Sequence, residues 1–429
     1  MEDYRIRQEL FLNDLPNDSI VLIPTNPISY RSNDTTYPYR ASSYMLYLCG
    51  WDAPEAVFMA YRASGAWITS IFVQPRDTKA EIWEGRRVGV EGASSNWPID
   101  EAHSLTDIDE IITEKIKNHN KIYSIPGSNS LLDKIIHKSA SEVLDPREIL
   151  DNMRVIKSEG EIKLMKKSAS LASFAHIEGM KRTFSGIGEW EIQSIIESHF
   201  SSNKSCTSYN SIVGGGDNAT ILHYNSNNMK INDGDLVLVD AGCEISGYAS
   251  DITRTWPVNG KFSDAQKEIY NLVLDAEKAA IESCIVGSPW SSMHHASSKV
   301  LAQGLIDLGI LDCNLEEALG ENFNGPYRNF FMHGTGHMLG LDVHDVGGGR
   351  QGDKGSERLL EPGMVLTVEP GLYFGSWRSD IDIPMKYSGI GIRIEDDVLV
   401  TKDGPIILTS SCPKEISEIE SLVGEMIEG

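Results

Sequence analysis

The sequence predicts an α+β protein of two domains, a smaller α/β domain over 1–150 and a larger one over 151–429. Three observations predict it. At 429 residues the chain has room for two or three domains of about 150 residues each. Roughly the first 145 residues alternate short apolar runs with helical patterns, the mark of an α/β layer structure. The remainder places helices before strands, twice over, with no sequence-level repeat to match.

SIVLIP (19–24) is a short apolar run ended by proline and reads as a buried strand. YMLYLCG (44–50), AVFMAY (56–61) and AWITSIFV (66–73) read as successive strands, punctuated by Gly, Pro and Asp. LTDIDEIITEKIKNH (105–119) carries Leu105, Ile108, Ile111, Ile112 and Ile116 at helical spacing. KIYSIPG (121–127) returns to strand, and DPREIL (145–150) marks the joint. Ser158 and Glu161 then form a capping-box pattern opening a helix to about Thr183, where FSGIGE breaks it. WEIQSIIESHF (190–200) is a second helix. SYNSIVGGG (208–216), GDLVLVDAG (234–242) and GYASDITRTWPV (247–258) read as strands. Two helices follow, ending around LIDLGI (305–310). MVLTVEPGLYF (364–374), GIGIRIEDDVLVT (389–401) and PIILTS (405–410) are strands, and residues 416–429 a short acidic helix.

Apolar residues make up 41% and charged residues 23%, the balance of a folded chain. Thirty-eight basic residues face 62 acidic ones, a net charge of −24, and both domains are acidic. Nucleic-acid affinity comes from basic faces that release counterions, so this charge argues against such a partner, and against anionic membrane surfaces. It favours metal ions and cationic peptide N-termini. No apolar run approaches the roughly 18 residues of a membrane span, and MEDYRIRQEL has no apolar signal segment. The six cysteines form no CxxC motif and are expected as buried free thiols. A cytoplasmic protein is the expectation.

Five segments carry chemistry. LVLVDAG (236–242) is an apolar strand ending at Asp240, and YASDITRT (248–255) places Asp251 in the next strand. A hairpin would bring the two carboxylates together, where they repel unless a cation or proton stands between them. A solvated surface hairpin is the other reading of these two segments alone. FMHGTGHMLGLDVH (331–344) holds three of the chain's 11 histidines, His333, His337 and His344. Its glycines, and the lack of a Glu after His333, argue for a loop and against a zinc-protease helix. VLTVEPG (365–371) ends a strand at Glu369. In GIRIEDD (391–397), alternation puts Arg393 and Glu395 on one face. Four carboxylates and one imidazole suit a pair of hard divalent ions such as Mn²⁺. Such a pair, about 3.5–4 Å apart, activates water and polarises a carbonyl, which is amide-hydrolysis chemistry.

With ILHY (221–224), these segments resemble the metal centre of the pita-bread peptidases, and from about residue 20 onward the chain resembles the aminopeptidase P (Xaa-Pro aminopeptidase) family. The resemblance implies a pita-bread catalytic domain behind a creatinase-like N-terminal domain that serves oligomerisation and substrate gating. It implies Asp240, Asp251, His337, Glu369 and Glu395 as ligands of two divalent ions, Mn²⁺ first with Co²⁺ or Zn²⁺ as alternatives. Asp251 and Glu395 would bridge, and Glu369 would also be the general base toward a bridging hydroxide. His344 would contact the scissile carbonyl and His223 would hold substrate or leaving group. His333, Arg393 and Tyr373 would line the proline side. The substrates implied are peptides with proline in second position.

RSNDTTYPYR (31–40) and RDTKAEIWEGRR (76–87) resemble the same family, in which the Trp83 position reaches a neighbouring subunit's active site. A homodimer or homotetramer follows from that. A methionine aminopeptidase would lack this domain. Prolidase, an Xaa-Pro dipeptidase, shares it and is the rival; a metal-free binding protein or creatinase-like enzyme is a remote third reading, against which all five ligands stand. The glycine-rich loop 347–360 departs from the family pattern, with Arg350 and Arg358 both candidates for an expected arginine. His294 and His295, adjacent on a helix, read as surface residues; Asp396 and Asp397 read as supporting the ligands or solvated.

Overall fold

The computed structural model describes residues 2–139, 141–350 and 355–426 and divides into two compact units, Met1–Arg154 and Val155–Gly429. The first unit runs α1 (Glu2–Asn13), β1 (Ser19–Pro24), β2 (Tyr30–Ser32), β3 (Thr35–Thr36), α2 (Ser43–Cys49), β4 (Val57–Ala63) and β5 (Ala66–Val73). It continues through α3 (Thr78–Glu84), α4 (Gly89–Asn96), β6 (Glu101–Ser104), α5 (Ile108–Ile116), β7 (Lys121–Ser124), α6 (Ser130–Ile136), β8 (Glu142–Leu144) and α7 (Arg147–Val155). Six strands form one mixed sheet in the order β6-β5-β4-β1-β7-β8. Ile20, Leu22, Val57 and Met59 of its central strands pack on Ile108, Ile112 and Ile116 of α5. The strand spacing of apolar residues in the sequence meets the helical spacing here.

YMLYLCG is the helix α2, not a strand. A short apolar run does not distinguish the two by periodicity. The discriminating signal is Gly50, which ends the helix in a left-handed conformation (φ +67°) and donates its N–H to Leu46 O. The expected joint at 145–150 runs into α7.

The second unit opens with α8 (Glu159–Lys181), whose capping box is in place: Ser158 N–H donates to Glu161 Oε2 at 2.9 Å and Glu161 N–H to Ser158 Oγ. Next come α9 (Glu189–Ser202), β9 (Cys206–Thr207), β10 (Ile212–Gly215), β11 (Leu236–Asp240), β12 (Cys243–Ile245), β13 (Tyr248–Ala249) and β14 (Thr253–Pro257). Helices α10 (Asp264–Glu282), α11 (Ser292–Asp307) and α12 (Leu315–Leu319) follow. The strands β15 (Val365–Val368), β16 (Gly371–Phe374), β17 (Ile390–Arg393), β18 (Asp396–Thr401) and β19 (Gly404–Ile407) and the helix α13 (Ile416–Leu422) complete it. The small antiparallel sheets β10-β11-β14 and β16-β17 pack with the helices on one core that includes Trp256, Tyr270 and Phe331, and β15-β18-β19 packs on a second that includes Ile281, Met293 and Met338.

Two expected strands are broken, and both breaks matter. GYASDITRTWPV splits at 250–252 and GIGIRIEDDVLVT at 394–395, so Asp251 and Glu395 lie between strands, not within them. The breaks bond to other chain segments: Asp251 N–H donates to the Asp397 carboxylate at 3.3 Å, and Glu395 N–H to Thr253 O at 3.1 Å. Among the described residues, no helix is long and apolar enough to cross a membrane.

Candidate metal centre

Asp240 ends β11, paired on either side with Ile212 and Thr253. The chain must then turn tightly. A side chain at Gly242 would put its Cβ 1.8 Å from Ser250 O, so only glycine lets the backbone pass there toward Asp251. His337 lies in a loop held against β15: its N–H donates to Thr367 Oγ1 at 3.0 Å, and Thr367 N–H to His337 O at 2.9 Å. Gly336 permits that approach, since a Cβ there would stand 1.9 Å from Thr367 O. Glu369 follows β15 and its N–H donates to Thr335 O at 2.7 Å.

Asp251, His337 and Glu395 each offer a ligand atom within 4.8 Å of the others. Glu369 Oε1 stands 3.9 Å from His337 Nε2, and Asp251 Oδ2 3.5 Å from it. His337 Nδ1 donates to Met338 O at 3.0 Å, which leaves Nε2 as the ligand atom. Asp240 joins through Tyr209, whose hydroxyl lies 2.6 Å from Asp240 Oδ1 and 2.5 Å from Asp251 Oδ1. Thr253 Oγ1 donates to Glu395 Oε2 at 2.6 Å. All five expected ligands face one cleft of about 640 Å³ in the second unit.

Burial and mutual repulsion raise Asp240, Glu369 and Glu395. Burial first, then Asp251, pushes the Glu395 carboxyl well above its ordinary value; burial also raises Asp240, and lifts Glu369 to about 7. Burial works against a charge on His337, but the Asp251 carboxylate, then Glu369, outweigh it and raise the ring to about 9. Carboxylates this close retain protons at neutral pH unless cations stand among them. Divalent cations would draw those values down and take the place of the His337 proton. The donor set therefore fits two divalent ions.

Beside the acids runs a chain of polar contacts. Arg393 donates through Nη2 to Asp240 Oδ2 at 2.6 Å, through Nε to Thr253 Oγ1 at 3.1 Å, and through Nη1 to the Tyr373 hydroxyl at 3.0 Å. The Tyr373 hydroxyl meets His333 Nε2 at 2.7 Å, and His333 Nδ1 donates to Gly334 O. Burial, then Arg393, holds His333 down at about 3, so it is neutral and its 3.7 Å approach to Glu369 is no ion pair. His223 and His344 are exposed at the cleft mouth, the His344 ring 4.3 Å from that of His337. Burial, then His337, lowers His344. Trp83 is 89% exposed on α3 of the first unit. Arg350 is exposed, whereas Arg358 is buried and donates to Gly347 O at 2.7 Å. Residues 351–354 of the 347–360 loop lie outside the described residues.

The adjacent histidines differ from expectation. His294 is half-buried, with Nδ1 2.9 Å from Thr335 Oγ1, and His295 stacks on Phe323 at 4.0 Å. Both Asp396 and Asp397 are buried: Asp396 pairs with Arg254 at 2.7 Å and Lys414 at 2.6 Å. Tyr209 and Thr253 have no distinguishing sequence signal; only the fold brings them to the acids. Of the six cysteines, Cys49, Cys243, Cys284 and Cys412 are buried, Cys206 is exposed and Cys313 half-buried.

Residues 163–402 match the family model described as Metallopeptidase family M24, and residues 4–123 that described as Aminopeptidase P, N-terminal domain. The Xaa-Pro aminopeptidase of Haemophilus influenzae is 44% identical over 423 residues, covering 97% of this chain and 96% of its own length. That of Escherichia coli is 37% identical over 438 residues, covering 98% and 97%. An aminopeptidase structure from Pseudomonas aeruginosa superposes with a TM-score of 0.94 at 37% identity, covering 100% of this chain and 99% of its own. Aminopeptidase P from E. coli with the inhibitor Pro-Leu gives 0.94 at 36%, with the same coverage. An N-terminal α/β domain followed by a pita-bread catalytic domain is the fold class these relatives share with this chain.

Proposed function

The chain belongs to metallopeptidase family M24, and from that membership we propose that it is a metal-dependent Xaa-Pro aminopeptidase, releasing the N-terminal residue of peptides whose second residue is proline. The observation that carries the reading is the convergence of four carboxylates and one imidazole in a single cleft, in a chain that matches such aminopeptidases along nearly its whole length.

When bound, two divalent cations supply activated water and a polarised carbonyl. The chain's own residues do the rest. Asp240, Asp251, His337, Glu369 and Glu395 would hold the ions. Glu369, between His337 and His333, takes the proton of the attacking water. His344, its pKa lowered, is neutral and donates an N–H to the scissile carbonyl oxygen. His223 holds the leaving side. His333, Tyr373 and Arg393 form the wall for the proline ring. An Xaa-Pro bond is a tertiary amide with no N–H, so a ring-shaped pocket must do what a hydrogen bond does elsewhere.

Mn²⁺ is the proposed metal, because carboxylate-dominated sites favour hard ions. The exposed Trp83 supports a homo-oligomer, dimer or tetramer, which light scattering tests; a sole 47.4 kDa species refutes it. The buried thiols of Cys49, Cys243, Cys284 and Cys412 support a reducing, cytoplasmic setting. The deciding assay compares an Xaa-Pro dipeptide with an Xaa-Pro-Pro tripeptide. Faster release from the tripeptide is expected; hydrolysis of the dipeptide alone would make the protein a prolidase.

A further inference from the structure

Behind His344 lies an ion pair that none of the proposed chemistry uses. Lys157 Nζ stands 3.0 Å from Asp345 Oδ2, and each side chain is 1% exposed. Two charges taken out of water are costly unless well paired, and removing one partner leaves the other uncompensated. A pair this buried therefore fixes whatever carries it.

What it carries is the loop that presents His344. Asp345 N–H donates to Met338 O at 2.8 Å, closing the segment between them into a ring. Met338 bridges to Leu366 of β15, and Ala249 N–H donates to Gly340 O at 2.8 Å, so the ring is tied down on two sides. Lys157 enters from beneath, with its own N–H bonded to Gly363 O at 2.9 Å. Gly340 makes room for the pair: a Cβ there would stand 2.2 Å from Asp345 Oδ2 and 3.0 Å from Lys157 Cε. His344 is the residue immediately before this anchor.

We propose that the buried Lys157–Asp345 ion pair is a positioning device for His344, fixing the closed loop from Met338 to Asp345 so that the imidazole stands at the mouth of the metal centre. The pair touches no substrate. It acts through His344, and the proposal rests on the hydrolytic role given to that residue above. Displacing a reacting group by about 1 Å can cost on the order of 100-fold in rate.

The test is a comparison of Lys157→Met in the otherwise unchanged enzyme and in a His344→Ala background, using metal-loaded protein and an Xaa-Pro-Pro peptide. In the unchanged background kcat should fall on the order of 10- to 100-fold with KM and metal content nearly constant. In the His344→Ala background, itself roughly 100-fold or more impaired, the same substitution should change kcat less than about twofold. A crystal structure of Lys157→Met should show the His344 ring moved from its 4.3 Å contact with His337. Gly340→Ala, which crowds the pair without removing a charge, should reproduce the kcat loss. If Lys157→Met does not fold, Asp345→Asn carries the same comparison. Equal losses in both backgrounds, an unchanged kcat, or an unmoved ring would overturn the proposal. An unchanged enzyme inert toward Xaa-Pro peptides would instead remove the proposed function, while the crystal structure still decides whether the pair holds His344.

Discussion

Tyr209→Phe removes one oxygen and nothing else from the metal centre. That hydroxyl has one proton and two carboxylate neighbours, Asp240 Oδ1 at 2.6 Å and Asp251 Oδ1 at 2.5 Å. Burial, then Asp240 and Asp251, raises the phenol well above its ordinary value, so it stays a donor throughout the working pH range. A hydrogen bond to a charged group contributes about 1.5–3 kcal/mol. Independently, losing a partner that orients a metal ligand typically weakens metal binding about 10- to 100-fold, or roughly 1.4–2.7 kcal/mol. The two magnitudes agree, so the variant should bind Mn²⁺ about 10- to 100-fold more weakly. Calorimetric titration of chelator-stripped protein measures this, with a melting curve to check folding. Saturating Mn²⁺ should restore most turnover, because the phenol orients ligands and does not react. A dissociation constant within twofold of the unchanged protein, or activity that excess metal does not restore, would refute the reasoning.

Asp251→Asn should abolish turnover while leaving the fold largely intact; near-normal rates would remove its bridging role. Elemental analysis of Mn²⁺-reconstituted protein should give about two ions per chain, and chelation should abolish activity that Mn²⁺ restores. Glu277 is buried, and burial, then Asp396, pushes its carboxyl up to about 8. It keeps its proton in the fold where the unfolded chain has lost it, so stability falls as pH rises from about 4.5 to about 8, by up to roughly 1.4 kcal/mol per unit. Melting temperatures of Glu277→Gln should fall less steeply across that window, and an unchanged slope would contradict the assignment. Gly336→Ala puts a methyl 1.9 Å from Thr367 O and should loosen His337, seen as weaker metal binding at constant helix content.

Most strands were legible because an apolar run ending at a breaker is a local pattern. The acids were legible for the same reason: Asp240 and Glu369 each terminate such a run. Long-range partners leave no such local pattern. The alternation through YASDITRT and GIRIEDD continues across the breaks that free Asp251 and Glu395, because those breaks are made by partners at 397 and 253. Tyr209 and the Lys157–Asp345 pair join residues distant in the sequence, and nothing local marks either partner. His294 reads as a surface residue from its place beside His295 on a helix, yet it sits against Thr335 and Phe331.

The charge of the centre argues for two ions, not one. Asp240, Asp251, Glu369 and Glu395 contribute four negative charges once ionised. Asp397 stands outside the count: it accepts the Asp251 N–H and is not among the five expected ligands, and burial, then Asp251, raises it well above its ordinary value. Arg393 contributes one positive charge, fixed by its 2.6 Å bond to Asp240. One divalent ion would leave this buried group net negative, and a buried surplus is costly. Two ions would leave a surplus of one positive charge, which one anionic oxygen would cancel; the proton gained by Glu369 and the oxyanion formed on attack offset each other, so the hydrolytic step leaves this balance unchanged. Arg393 thereby sets the sign of the centre as well as holding Asp240 and Tyr373. The protein's −24 is a separate matter: only four of its 62 acidic residues belong to this balance, and the excess is a property of the solvated surface.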